Sequence, residues 1–539
     1  MGLPCGKRIH RYDPRGSIHQ VVSSPPAIQF LQSRTGELSA SVDRRLLYSR
    51  YSPSRETRRF VDETLKRAER SDSAPIVVVS DGLGYLEKAV RSSLPRARVF
   101  SIHLNSLLSS KSGLPREHIC CPDQGCDPGA FLTERLESES LRRVTFIEWD
   151  PACRAFASVY ERAATRIRHA LRRAAGHKAT VERWGKLWIR NILRNSERFL
   201  FSAGLPHFGT RPVLVVCAGP TLGETLRTVA GYRTLPVIVA VSSTLTTLRN
   251  YCIEPDLVVH TDAGFYSSLH IPRNAAYHAH LCGRSAYTTP LTAAPLPVPS
   301  APATLRVISG NSVCEQTAAR ILGLEPAVVP EAGTVSATAT RLASLVSDGP
   351  RFVAGLDLAS RDLDHHSRPH SFDGYFSAHS GRTNPELSMR FKRSIGMHRF
   401  VQGWRTAGNL DLYAQWFRDH TAEFADARRL FPSPVDTGMT PANTEDLGNS
   451  LIDWISRAST RNPDSRSEAR QRAPQSTGEH RRWNVSFSGM ILQGWRDELV
   501  RSGSTGALSQ ELAEWLGCDQ NVRDILSALS EFDRGRNRD

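Results

Sequence analysis

A Gly-Pro-Thr-Leu motif, Gly219–Leu222, follows the apolar run Val213–Cys217 and precedes a helical pattern. Such a run predicts a buried parallel strand, here one that enters a tight turn and then a helix. The first N–H groups of a helix are unpaired and partly positive, which suits a phosphate. We therefore predict that Gly219, Pro220 and Thr221 bind a nucleotide phosphate, with Gly219 allowing a close backbone approach. The alternative is an ordinary strand–helix turn that binds nothing.

An acidic residue, Asp262, closes the segment Ile253–Asp262 directly after a short apolar strand pattern. In open α/β sheets, ligands bind beyond the carboxyl ends of the strands. Asp262 is therefore a candidate to bind a ribose or a metal ion, or to accept a proton as a general base. The alternatives are a solvated loop residue and a helix cap.

Gly333, Thr334 and Ser336 stand at the start of another predicted helix, with Val335 between the two hydroxyl residues. This position suits the other end of a nucleotide, or else simple helix capping.

A fourth pattern places Asp357 at a strand end, in Gly355–Ala359, and follows it with the imidazoles of His365, His366 and His370. Imidazole titrates near neutral pH, so these side chains could supply a general base or hold a metal ion. The alternative is that they are simply exposed on a loop.

Two further patterns are weaker. His118, Cys120, Cys121 and Cys126 lie close together, but the second half of a zinc site is missing. The segment Asp81–Tyr85 resembles a dinucleotide-binding turn only in part, because it lacks the third Gly.

The elements around these motifs predict two Rossmann-like α/β domains with parallel sheets and a helical C-terminal region. After about residue 390 the strand patterns stop, and a segment rich in Arg, Ser, Gln and Pro separates two helical regions. The predicted divisions are a lead-in (1–70), an N-terminal Rossmann-like domain (71–150), connecting helices (151–205), a nucleotide-binding core (206–390), a helical region (391–458), a disordered linker (459–482) and C-terminal helices (483–539).

Composition limits the classes of partner. The 539 residues carry 69 Lys and Arg against 54 Asp and Glu, a net charge of +15 that favours acidic ligands such as nucleotide-sugars. No nucleic-acid-binding motif accompanies this charge, so we predict no nucleic-acid partner. The ten Cys follow no disulfide-framework spacing, and a signal-peptide core and an apolar membrane span are both missing. These features predict a cytoplasmic protein.

Taken in order, six segments resemble the motility accessory factor (Maf) family, whose core is similar to archaeal 6-hydroxymethylpterin diphosphokinase, the MptE-like domain. The resemblance extends from Tyr48 to about His370, with Thr221 where the family usually has Ser. The segments are Tyr48–Glu56, Gly82–Tyr85, Trp188–Asn195, Gly219–Leu222, Ile253–Asp262 and Gly355–Ala359.

This resemblance implies a sialyltransferase-like core that transfers a nonulosonic acid from a CMP-sugar donor to Ser or Thr of flagellin. By position, Gly219, Pro220 and Thr221 would hold the nucleotide phosphate, and Asp262 would line the donor site with Gly333–Ser336. His366, nine residues after Asp357, matches a His that often follows the Gly-x-Asp-Leu-Ala segment.

Two other functions remain open at this point. An MptE-like diphosphokinase would move pyrophosphate from ATP to a pterin alcohol and would need Mg²⁺, for which Asp262 and Asp357 are candidates. A non-catalytic protein that binds a nucleotide or flagellin is the third possibility. For the glycosyltransferase we predict a CMP-sugar as donor substrate and no firm cofactor, with a requirement for Mg²⁺ left open.

Overall fold

The fold is that of a computed structural model. It describes residues 27–67, 74–79, 82–136, 140–141, 143–196, 198–199, 204–272, 285–297, 305–330, 332–401, 403–459 and 487–536. Asp81 and almost all of the predicted linker 459–482 lie outside the described residues.

The strands are β1 (Ile28–Gln32), β2 (Leu38–Val42), β3 (Arg45–Leu46), β4 (Ile76–Val79), β5 (Val99–Ile102), β6 (Ile119–Cys120), β7 (Thr145–Glu148), β8 (Val213–Val216), β9 (Val237–Val241), β10 (Leu257–Val259), β11 (Ala286–Thr289), β12 (Leu305–Ser309), β13 (Ala327–Val328), β14 (Arg351–Ala354), β15 (Ser360–Arg361), β16 (His398–Val401), β17 (Trp404–Thr406), β18 (Ala427–Leu430) and β19 (Thr440–Ala442).

The helices are α1 (Pro53–Arg67), α2 (Tyr85–Ser93), α3 (Ser106–Ser109), α4 (Pro128–Arg135), α5 (Asp150–Ala155), α6 (Ala157–Asn195), α7 (Leu222–Val229), α8 (Leu245–Asn250), α9 (Val313–Ile321), α10 (Val335–Val346), α11 (Asp373–His379), α12 (Glu386–Ser394), α13 (Gly408–Asp419), α14 (Thr444–Ser459), α15 (Phe487–Ser502), α16 (Ala507–Leu516) and α17 (Val522–Arg536).

The chain divides into two compact units, Met1–Thr180 and Val181–Asp539, with the division inside α6. The N-terminal unit contains a four-stranded parallel sheet in the order β6-β5-β4-β7 and a small antiparallel sheet, β1-β2-β3. Its central strand β4 is buried at every residue, as its β-branched sequence predicts.

The C-terminal unit is built on a nine-stranded sheet in the order β13-β12-β11-β10-β9-β8-β14-β18-β19. Every neighbouring pair in it is parallel. Alternate residues of β8 enter two different cores, because Val213 and Val215 pack on one face and Leu214 and Val216 on the other. The predicted fold class, two α/β domains with parallel sheets and a helical C-terminal region, is thus confirmed.

The helical prediction for 391–458 requires a correction, since this region also contains β16, β17, β18 and β19. β18 and β19 extend the main sheet beyond β14. Both lack the continuous apolar run that marks a central strand: β18 is Ala-Arg-Arg-Leu, and β19 has Pro441 in its centre, which an edge strand tolerates.

Cys120 and Cys126 form a disulfide in the N-terminal unit, a bond that the sequence analysis did not predict. Within the residues that the structure describes, none of the helices combines the length and the apolar character needed to cross a membrane.

Candidate functional site

The sheet order changes direction between β8 and β14, so the turns that follow these two strands lie side by side. The N–H of Gly219 donates to the carbonyl oxygen of Gly355 at 2.8 Å. A Cβ atom on Gly219 would lie 2.4 Å from both that oxygen and Oδ2 of Asp357, closer than real contacts allow. Gly219 is therefore required by the approach of the neighbouring turn, a reason that the sequence did not reveal.

Asp357 binds Thr221 with both carboxylate oxygens. The backbone N–H of Thr221 donates to Oδ2 at 2.8 Å, and its hydroxyl donates to Oδ1 at 2.9 Å. Both residues are buried. The structure therefore differs from our prediction at this turn: the amide that follows Pro220 is occupied by a carboxylate of the protein and does not face a phosphate.

Two residues from the β18 region support Asp357. Ser433 donates its hydroxyl to the carbonyl oxygen of Asp357 at 2.6 Å, and Arg429 donates to Oγ of Ser433 at 2.6 Å. Burial raises the pKa of Asp357, whereas its hydrogen bonds from Thr221 and the charge of Arg429 lower it. Sequence reasoning missed both supporting residues, because it placed them in a helical region.

The segment that carries His366 folds back over the turn after β8. The N–H of Ser367 donates to the carbonyl oxygen of Ala218 at 2.8 Å, and a hydrogen bond to the same backbone involves the His366 ring. Thr247 on α8 holds the other side of this segment, with its hydroxyl 3.0 Å from Oγ of Ser367. His366 thus lies beside Gly219 and Pro220, which are both only half-buried.

The imidazoles form a stack at this edge of the sheet. The ring of His366 lies parallel to that of His370 at 4.6 Å, and His270 meets His370 edge-on at 5.5 Å. Desolvation lowers the pKa of His270 to about 4 and lowers those of His366 and His370, with repulsion between the rings adding to the effect. His270 and His370 are therefore neutral at pH 7. His366 is exposed, and it is mainly neutral as well because the ordinary pKa of imidazole, about 6.5, already lies below 7.

His365 points elsewhere, since its Nδ1 lies 2.7 Å from Oγ of Ser360. The structure therefore separates the three predicted histidines into one that supports the loop and two that stack. It also adds His270, which the sequence analysis did not single out, because it lies 96 positions before His366 along the chain.

Asp262 lies exposed after β10, where the sequence placed it. Its Oδ1 accepts a hydrogen bond from the N–H of Gly264 at 3.0 Å, so the carboxylate is held by its own turn. Its charge acts on His270 and raises the pKa of Tyr413 on α13 together with burial. Asp262 thus lies close enough to His270 and Tyr413 for its charge to act on both.

The start of α10 lies at the same edge. Ser336 hydrogen-bonds the thiol of Cys217, the residue that follows β8. Gly333 is exposed with φ of +67°, a conformation that glycine adopts readily, and Thr334 and Ser336 are half-buried. Thr334 makes no capping bond with its side chain, so the first-turn amides of this twelve-residue helix are not capped by it.

The arrangement offers neutral imidazoles, one exposed carboxylate and a helix start, but little for a metal ion. Among the described residues, no three His, Cys, Asp or Glu side chains converge to hold one. Asp357 is committed to Thr221, so the two carboxylates proposed for Mg²⁺ do not form a pair of free ligands.

Comparison with known proteins covers part of the region described above, since His366 and His370 lie beyond the matched residues. Residues 188–362 match a family model described as 6-hydroxymethylpterin diphosphokinase MptE-like. An uncharacterized protein of Treponema pallidum (strain Nichols) is 26% identical over 294 residues, which are 53% of this chain and 60% of that protein. The match thus spans less than two thirds of the relative's length.

Among solved structures, the chain is similar to a MAf glycosyltransferase from Magnetospirillum magneticum AMB-1. The TM-score is 0.47 at 14% identity, over 95% of this chain and 86% of that one. The MptE-like resemblance inferred from the motifs is confirmed by the family model, and the chain contains an MptE-like domain at residues 188–362.

Proposed function

We propose that this protein is a glycosyltransferase that moves a nonulosonic sugar from a CMP-sugar to a Ser or Thr hydroxyl of flagellin. One observation carries the proposal: Ser336 at the start of α10 and His366 both contact the residues that directly follow β8, Cys217 and Ala218. A site for a phosphate and a candidate base therefore lie on either side of one turn, at the carboxyl edge where α/β sheets bind ligands.

The phosphate of the donor is assigned to the start of α10. The first-turn amides of a helix carry partial positive charge and attract anions, and the exposed Gly333 leaves the approach open. The hydroxyls of Thr334 and Ser336 add donors at the same place. This assignment replaces the turn at Gly219, whose following amide is bound by Asp357.

His366 is the proposed general base. Its lowered pKa keeps the ring neutral at pH 7, so one nitrogen can accept the proton of the acceptor hydroxyl. The hydroxyl oxygen then forms a bond to the anomeric carbon, and the bond from that carbon to the phosphate oxygen breaks. The electron pair leaves with CMP, whose developing charge the α10 amides stabilise.

An acidic sugar fits the charge beside His366. Arg393 on α12 lies above the rings of Phe372 and Phe376 at 5.9 and 4.7 Å and acts electrostatically on His366 and His370. Its neighbour Arg390 is bound by Asp373 and Glu386 at 2.8 and 2.7 Å. Among the described residues no carboxylate forms an ion pair with Arg393. The carboxylate of an acidic sugar would form this ion pair.

The alternative is a diphosphokinase like the one named by the family model, for which the motif resemblance implies ATP as the donor. The match of residues 188–362 favours it, whereas the engagement of Asp357 with Thr221 removes one of its two proposed magnesium ligands. Magnesium-dependent conversion of ATP to AMP in the presence of a pterin alcohol would establish this activity instead.

The decisive test of the proposal is the intact mass of purified flagellin after incubation with the protein and a CMP-activated nonulosonic acid. We expect a gain of one or more sugar masses, and none with His366→Ala. CMP binding without any gain in mass would support the third possibility, a non-catalytic nucleotide-binding protein.

A further inference from the structure

Three exposed aromatic side chains border the candidate site. Phe265 and Tyr266 begin the 3₁₀ helix Phe265–His270 directly after the Asp262 turn, and Tyr375 lies on α11. Their exposed fractions are 70%, 59% and 37%. Large aromatic side chains usually bury most of their surface, so three exposed rings in contact with one another are unusual on a protein surface.

These rings are continuous with the histidine stack. Tyr266 meets Phe265 at 5.8 Å and Tyr375 at 6.2 Å, and Tyr375 meets Phe372 at 6.5 Å. Phe372 in turn meets His270 at 4.9 Å and His370 at 5.5 Å. An unbroken series of rings therefore connects the exposed aromatic group with the stack that contains His366.

The position of the exposed rings also suits the base of a nucleotide whose phosphate lies at the start of α10. The proposed phosphate position is the start of α10, which packs against β8, β9 and β10. Asp262 follows β10 and suits the hydroxyls of a ribose, and Phe265 comes three residues later. In the sheet only β9 separates β10 from β8, the strand that Cys217 follows, so the ends of β8 and β10 lie about 10 Å apart. We therefore assign the phosphate to α10, the ribose to Asp262 and the base to the exposed rings.

We propose that Phe265, Tyr266 and Tyr375 form a stacking platform for the pyrimidine base of the donor. Stacking on an aromatic ring suits any flat heterocycle and requires no hydrogen-bond partner. More than half of Tyr266 is exposed, so the base can stack on its ring without displacing the rings that Tyr266 contacts. This inference rests on the proposed function, since it assumes that the donor carries a nucleotide.

Calorimetric titration with CMP and with ribose 5-phosphate separates the base from the rest of the nucleotide. For Tyr266→Ala we expect the Kd for CMP to rise roughly tenfold or more, because stacking on an aromatic side chain is commonly worth that much. Tyr266→Phe should bind CMP within about twofold of the wild type, because it keeps the ring. Ribose 5-phosphate should bind Tyr266→Ala and the wild type equally, because it has no base.

A matched control is Tyr51→Ala, which removes a ring of similar exposure, 61%, from the N-terminal unit. It should bind CMP as the wild type does. Equal CMP affinity of Tyr266→Ala and the wild type would overturn the platform, as would an equal loss for ribose 5-phosphate. If the wild type binds no CMP at all, the proposed donor itself is contradicted. If the wild type binds CMP and the Tyr266 variants bind it equally well, only the stacking platform is contradicted.

Discussion

At the scale of single residues, Thr221 shows how a motif can be recognised for one reason and required for another. Its hydroxyl and its amide both donate to the buried Asp357, which joins the turn after β8 to the turn after β14. The resemblance had suggested a contact with phosphate at this position. A serine, the usual residue of the family, would provide the same hydroxyl to the same carboxylate.

We therefore predict that Thr221→Val destabilises the protein, whereas Thr221→Ser does not. Valine has the shape of threonine but leaves one oxygen of a buried carboxylate without its donor, at a cost of about 1–3 kcal/mol. Thermal unfolding of the two variants measures the difference. Equal unfolding temperatures for the valine and serine variants would show that the hydroxyl contributes nothing to this contact.

His366 is the residue that the proposed chemistry needs most. His366→Gln should lower the transfer rate by about a hundredfold or more, because a positioned base commonly contributes that much. CMP binding should change little, since the phosphate is assigned to α10. Steady-state rates and calorimetry check the two parts separately, and a fully active variant would exclude His366 as the base.

The sequence alone identified these residues but not their partners. Gly219, Asp262 and Asp357 lie at the carboxyl edge of one sheet, as residues that follow its strands must. That Asp357 faces Thr221, and that His270 joins the histidines, depends on contacts between distant segments. No local pattern of residues encodes such contacts.

At the scale of elements, α6 positions the loops around the site through two asparagines. The side-chain amide of Asn191 donates to the carbonyl oxygens of Ala263 and Thr292 at 3.2 and 2.9 Å. That of Asn195, one turn later, donates to Leu291 and Ala293 at 2.8 and 2.9 Å. Residues four positions apart share one face of a helix, so both asparagines reach the loop 291–293.

Asn195→Asp should therefore destabilise the C-terminal unit. The substitution exchanges two donated hydrogen bonds for a carboxylate that faces two carbonyl oxygens, and an unsatisfied buried polar group costs about 1–3 kcal/mol. The exposed Asn250 provides the control, because Asn250→Asp changes the same charge without burial. Urea unfolding compares the two, and an equal effect would refute the structural role of Asn195.

Other elements escaped prediction because their sequences resemble loops. β11 is Ala-Tyr-Thr-Thr, yet all four residues are buried between β10 and β12. β18 contains Arg429, whose charge is accommodated in the interior by Ser433 and the carbonyl oxygen of Val435. The long apolar strand β8 was predicted correctly, because burial on both faces leaves a continuous pattern.

At the scale of the whole molecule, the buried histidines make stability depend on pH. Burial lowers the pKa of His260 to about 4, against about 6.5 in an unfolded chain. Between these values the unfolded chain binds more protons than the folded protein, so stability falls as the pH falls from about 6.5 to 4. His260 alone accounts for on the order of 2–3 kcal/mol, and His270 and His370 add to the loss.

Urea unfolding at pH 7 and pH 5 tests this expectation. The midpoint should be lower at pH 5, and His260→Gln should reduce the difference between the two conditions because glutamine does not titrate. A midpoint that is unchanged or higher at pH 5 would contradict the assignment of these histidines as neutral.

The central claim is that a donor nucleotide binds at the carboxyl edge of the large sheet with its phosphate on α10. Calorimetric titration of CMP into the wild type and into Ser336→Asp tests it most directly, because an acidic residue at a helix start preserves the helix but repels a phosphate. We predict saturable binding of CMP to the wild type and at least a roughly tenfold weaker affinity for Ser336→Asp, which is about 1.4 kcal/mol. No binding to the wild type, or equal affinity of the two proteins, would contradict the claim.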